Sequence, residues 1–186
     1  MLWIIIFLLI ELLIVVLLAV NIYSFFRAVF IRSSFLKKLR VLSREKGYSL
    51  RAERKGFASF FKKSSLPDLI LKAGDTEYLI RFITCFKRKR FYHFANSEYF
   101  AYFSRIFFAL PLASKEEDLK GNERFSRIPP LREEYLKEEA DVKKQVVLLF
   151  NPSPVEITYG SKVVSNGDKI EDCIIYSGKG FLDLFN

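Results

Sequence analysis

Apolar residues fill the start of the chain with a single break. From Leu2 to Val20 only Glu11 is polar, and the run holds neither proline nor glycine. At 1.5 Å rise per residue such a helix can cross a hydrocarbon core of about 30 Å. The pattern predicts a transmembrane anchor over residues 1–26, with Tyr23, Phe25 and Phe26 as interfacial aromatics. Behind it the periodicity changes. Phe35, Leu36, Leu39 and Leu42 recur at helical spacing, Ser33-Ser34 offers an N-cap, and Gly47 offers a stop. A helix is therefore expected to end near Lys46, either separate from the span or continuous with it.

Residues 47–186 change to strand patterning. A short strand is expected at 48–52, and residues 57–61 are apolar but ambiguous. The clearest signal is a hairpin: strand-like residues 68–72, turn chemistry in Ala73-Gly74-Asp75-Thr76, and strand formers from Glu77 to Cys85. Lys87-Arg88-Lys89-Arg90 marks the next turn, and residues 91–94 a third strand. Residues 98–103 fit a fourth strand or the start of a helix through Leu110, and periodicity does not decide between them. Residues 111–130 mix charge with Gly121 and Pro129-Pro130 and suggest a loop or insertion. Residues 131–144 are rich in helix formers, with Glu and Lys at supportive spacings. Val146-Val147-Leu148-Leu149-Phe150 is a continuous apolar run, the pattern of a strand buried on both faces. Further strands are expected at 155–159 and 174–176, a turn at Asn166-Gly167-Asp168, and a terminal helical turn at 181–185.

Charge gives this layout a direction. Residues 27–63 carry 12 basic and 2 acidic side chains, whereas residues 111–145 carry 8 and 9. The basicity is thus concentrated behind the anchor. By the positive-inside bias, the C-terminal part is expected in the cytoplasm and the N-terminus outside. A cleaved signal peptide fits poorly, because no Lys or Arg precedes the apolar run and Leu18-Ala19-Val20-Asn21 is a weak cleavage site. Anionic headgroups would attract Arg27, Arg32, Lys37, Lys38 and Arg40, which makes them candidate lipid-binding residues. Glu11 falls near mid-membrane, where a carboxylate is costly. It is either a contact for another transmembrane helix or a single tolerated acid. Cys85 and Cys173 lack metal-ligand spacing, and a reducing compartment would keep them as small buried thiols.

The order helix, strand, hairpin, strand, helix, buried strand resembles the αβββαβ core of the PD-(D/E)xK, or restriction endonuclease-like, fold over roughly residues 34–150. Pro67-Asp68 matches the Pro-Asp that opens the second strand in that family. The resemblance implies that the next strand carries an acid, any residue, then Lys, which together bind a divalent metal and polarise the attacking water. Here that strand is Tyr78-Leu79-Ile80-Arg81-Phe82-Ile83. Arg81 stands where the second acid belongs, and Ile83 where the Lys belongs. Asp68, Arg81 and Ile83 are therefore relic nuclease positions. An Arg at a ligand position repels a cation, and Ile83 cannot polarise water. Glu77 is the only substitute acid on that strand, four residues before Arg81. In this register Asp68 and Arg81 should lie on adjacent strands, near enough to pair.

Other chemistry is thin. His93 is the only histidine, and no Gly-rich phosphate loop followed by Lys is present. Lys87, Arg88, Lys89 and Arg90 beside Phe91 and Tyr92 form a candidate basic hairpin patch that could touch a nucleic-acid backbone; a solvated turn is the simpler reading. The expectation is a single N-terminal transmembrane helix (1–26), a basic juxtamembrane segment and first helix (27–46), and one mixed α/β, or α+β, cytoplasmic domain (47–186). No metal or cofactor is expected. The expected function is non-catalytic binding or scaffolding at the inner face of a membrane, with anionic lipid headgroups as a partner. The alternative is a membrane-tethered metal-dependent nuclease or nucleic-acid binder.

Overall fold

Residues 2–45 are one helix because nothing in them stops it. In the computed structural model, which describes residues 2–53, 64–85, 90–104, 125–137 and 141–186, helix α1 runs over Leu2–Glu45. At 1.5 Å per residue its 44 residues extend about 66 Å. Ser33 and Ser34, expected as an N-cap, lie inside it. No glycine or proline separates them from the apolar run, so the helix continues through both. It ends where expected. Gly47 takes φ +70°, its N–H donates to the Arg44 carbonyl, and the Tyr48 N–H donates to the Ser43 carbonyl at 2.8 Å. These paired bonds satisfy carbonyls that the helix end leaves open.

The two parts of α1 have different surroundings. Residues 3–23 are exposed on all sides, and among the described residues α1 is the one helix long and apolar enough to cross a membrane. Asn21, the second polar side chain of that stretch, donates back to the Leu17 carbonyl at 2.8 Å. Farther along, Ala28, Arg32, Phe35, Leu39 and Ser43 are buried. Their spacing of three to four residues makes one stripe. It packs on the first of two sheets.

That sheet has the order β1-β2-β3-β7-β11-β10. Strands β1 (Ser49–Ala52), β2 (Leu69–Ala73) and β3 (Thr76–Ile83) form an antiparallel meander. The β2–β3 turn is the expected one, with Gly74 at φ +60° and Ala73 paired to Thr76. Strand β7 (Lys143–Phe150) then runs parallel to β3 along its full length, from Thr76↔Lys143 to Ile83↔Phe150. Strand β11 (Cys173–Ser177) is parallel to β7, and β10 (Lys169–Ile170) closes the edge. Val147 and Leu149 of β7 meet Phe35 and Leu39 of α1. Leu148 and Phe150 point to the opposite face, into a core with Tyr92, Phe94 and Phe100. Burial on both faces explains the unbroken apolar run of this strand.

The second sheet supplies that opposite face. Its order is β6-β5-β4-β8-β9, with β4 (Arg90–Phe94), β5 (Tyr99–Ser104), β6 (Phe125–Arg127), β8 (Glu156–Tyr159) and β9 (Lys162–Val163). The described chain is therefore an α+β fold in which the C-terminal part of α1 and two mixed sheets form successive layers. Residues 99–104 are strand, paired antiparallel with β4. The third predicted strand exists, but it belongs to this second sheet rather than to the hairpin's sheet.

One expected element is largely replaced. The predicted helix over 131–144 is reduced to α2 (Glu133–Leu136), and Lys143 and Lys144 are already in β7. Eight-residue pairing with β3 needs those positions, and the Lys143 N–H donates to the Asp75 carbonyl at 2.8 Å. Tertiary pairing overrides a local preference that is marginal in so short a segment. The C-terminus folds back as α3 (Gly178–Leu182) and a 3-10 turn (Asp183–Phe185). Phe181 is fully buried beside Tyr78 and Tyr176. The apolar segment 57–61, the turn residues Lys87, Arg88 and Lys89, and most of the loop at 111–130 lie outside the described residues.

Candidate functional site

Asp68 sits where β2 begins, and its backbone N–H donates to the Ile80 carbonyl at 2.8 Å. One place beyond the Leu69↔Ile80 pair, the register brings it level with Arg81 on the adjacent strand. The side chain extends the hydrogen-bond ladder past the strand end, because Oδ2 accepts from the Phe82 N–H at 2.8 Å. Oδ1 lies 3.7 Å from Nη2 of Arg32, which reaches down from α1. The Arg32 guanidinium also lies over the Phe82 ring, 4.1 Å from its centroid, and Phe35 meets the same ring edge-on at 5.8 Å. Arg32 and Asp68 are each 4% exposed.

Arg81 is buried as well, and its Nη2 donates to the Ser64 carbonyl at 2.7 Å. Ile83 is part of the core between the two sheets. Glu77 pairs with Lys72 near the hairpin turn. It lies four residue rises from Arg81, roughly 13 Å along the strand. It cannot meet Asp68 in one coordination sphere. Among the described residues no three His, Cys, Asp or Glu side chains gather as a metal site. What the geometry offers here is a clasp. A carboxylate at a strand opening receives a backbone N–H from its own sheet and a guanidinium from α1.

The candidate lipid-facing cations separate into two groups. Lys37, Lys38 and Arg40 are exposed along α1, and Arg27 is half-buried. Arg32, expected with them, faces the sheet instead, because the buried stripe of α1 passes through its position and Asp68 lies opposite. Glu11 is exposed on α1 among exposed apolar residues. Of the basic hairpin patch only Arg90 is described, as the first residue of β4.

His93 on β4 stands opposite Thr158 on β8, and its Nδ1 lies 3.0 Å from the Thr158 hydroxyl. Burial lowers its pKa below the ordinary value. Neither Cys85 nor Cys173 is in a disulfide, and both are buried. Burial pushes the Cys173 thiol up to about 11, with Arg81 opposing the shift. A nucleophile needs the reverse.

Sequence reasoning found Asp68 and Arg81 through the Pro-Asp opening and the strand register. It missed Arg32 as the partner of Asp68. The helical stripe read from Phe35 and Leu39 would have reached Arg32 if extended back by one turn. Comparison with protein families, with curated proteins and with solved structures gave no match.

Proposed function

We propose that this chain is a single-pass membrane protein whose α+β domain binds a partner at the cytoplasmic face and catalyses no hydrolysis. The observation that carries the proposal is the use made of Asp68. In the restriction endonuclease-like pattern this position supplies a metal ligand; here its carboxylate accepts a backbone N–H and faces a buried arginine of α1. The helix that bears the exposed apolar run is thereby fastened to the sheet through the relic site. The α1–β1–β2–β3 order and the parallel β7 fit the endonuclease-like pattern, whereas its second helix is reduced to the four residues of α2.

Anchoring is supported by the exposed apolar residues 3–23, about 31 Å of helix. The six basic and no acidic residues from Arg27 to Arg44 support a cytoplasmic domain. Arg27 then lies nearest the anionic headgroups, and exposed Lys37, Lys38 and Arg40 extend the positive charge farther along the helix. The test uses the full chain in a neutral detergent with DNA or RNA and Mn²⁺. No cleavage is expected. Cleavage that disappears in Asp68→Ala would contradict the proposal and favour a tethered nuclease.

A further inference from the structure

A groove of about 480 Å³ opens between α1, the segment after β7, and α3. Arg27, Phe30 and Lys38 line it from the helix, and Asn151, Lys179 and Leu182 from the domain. Three of the lining residues are cations and none is a carboxylate. Arg27, Lys38 and Lys179 have no ion-pair partner among the described residues. At the domain side stands Asn151, only 4% exposed, whose Nδ2 has no hydrogen-bond partner among the described residues. A buried amide donor left unmatched costs on the order of 1–3 kcal/mol. Gly178 keeps the floor open: a Cβ there would come within 3.3 Å of both Asn151 Cγ and Phe35 Cδ2.

The depth of this groove suggests its occupant. Resting on the anchor reading above, residues 3–23 fill the hydrocarbon layer. Arg27 then lies one helical turn, about 6 Å, beyond Tyr23. The headgroup layer on each side of a bilayer is about 5–8 Å thick. The mouth of the groove at Arg27 thus opens at headgroup level, with the exposed Phe30 ring one turn farther out. We infer that the groove binds the phosphate of one anionic glycerophospholipid of the host membrane. Arg27 and Lys179 contact the phosphate, Phe30 and Leu182 pack beside the headgroup on its solvent side, and a small shift of Asn151 lets its amide donate to the headgroup. A guanidinium and an ammonium suit phosphate oxygens. With no carboxylate in the lining, nothing answers the ammonium of a zwitterionic headgroup.

Native mass spectrometry of the full chain in neutral detergent tests this, with phosphatidylglycerol and phosphatidylcholine added in equal amounts. One phosphatidylglycerol retained per chain is expected, about ten-fold over phosphatidylcholine, the scale of one charge-assisted contact. Arg27→Gln with Lys179→Gln should remove that preference. Lys179→Gln alone, at an exposed position, should reduce it while leaving the unfolding midpoint unchanged. Lys162→Gln, at an exposed position on β9 outside the groove, should leave it intact. Equal retention of the two lipids, or retention unchanged in the double variant, overturns the inference. Displacement of the lipid by millimolar glycerol 3-phosphate assigns the groove to a soluble phosphate and overturns the lipid source. Alkaline carbonate extraction separates the two readings. A chain that stays in membranes without lipid preference loses only the groove, whereas one that is released loses the anchor.

Discussion

Arg32 and Asp68 form a buried ion pair, Nη2 to Oδ1 at 3.7 Å, between the helix that carries the apolar run and the first residue before β2. The pair is oriented from both sides. Phe82 supplies a ring beneath the guanidinium and an N–H to the carboxylate. Attraction between the charges offsets part of the desolvation cost, and these further contacts hold both groups in place.

Removing one partner should therefore destabilise strongly. Arg32→Leu removes the α1 cation that faces the buried carboxylate and is expected to cost about 3–5 kcal/mol. Asp68→Asn removes the charge but keeps an oxygen for the Phe82 N–H. The double variant should lose less than the two single losses combined, measured by denaturant unfolding of the full chain in detergent. Additivity within about 0.5 kcal/mol would mean that the two charges do not interact.

The C-terminal turn makes a steric prediction. Asn166 Oδ1 accepts from the Ser177 N–H at 2.6 Å, and the Ser177 hydroxyl accepts from the Gly180 N–H. A Cβ at Gly180 would stand 2.5 Å from Asn166 Cγ. Gly180→Ala should cost about 1–3 kcal/mol through overpacking. Adding Asn166→Ala should cost less than it does in the parent chain, because the clash is then gone. A neutral Gly180→Ala would show that Asn166 does not hold α3 in this way.

His93 gives the fold an acid-sensitive element. Because burial lowers its pKa, the unfolded chain takes the proton more readily than the folded one. The stability tied to neutral His93 is complete above its unfolded value of about 6.5 and is lost as pH falls through the lower folded value. The thermal midpoint should drop between about pH 7.5 and about pH 5.5, and the drop should shrink in His93→Gln. An unchanged pH profile in that variant would exclude His93 as the source.

Both thiols should be inert in the folded chain. Cys173 is buried and its thiol is raised to about 11, so little thiolate forms near neutral pH. Alkylation with iodoacetamide at about pH 8 should be at least roughly 100-fold slower in native than in denatured protein, since it requires opening. Fast native labelling at Cys173 would contradict its place in the core between the sheets.

The elements legible in the sequence are those whose signals are local. The β2–β3 hairpin announces itself through Gly74 between two runs of strand formers, and β7 through five apolar residues in a row. Gly47 marks the end of α1 because a left-handed residue is what that cap requires. What was misread depends on partners distant in sequence. Lys143 and Lys144 look helical until β3 is placed beside them. Ser33 and Ser34 look like a cap until the helix is seen to pass through them to reach the sheet. Arg32 looks like one more juxtamembrane cation, and only the docking of α1 sets it against Asp68. Lys179 and Asn151 join Arg27 in a groove for the same reason, and no spacing in the sequence connects them.

The topology of the full chain is the most direct measurement. A reporter active only in the cytoplasm, fused after Asn186, should give signal, and one active only outside should stay silent. The basic residues from Arg27 to Arg44 in α1 and the exposed apolar residues before them predict that result. Signal from the outside reporter would place the domain across the membrane from the proposed partner and contradict a cytoplasmic binding role.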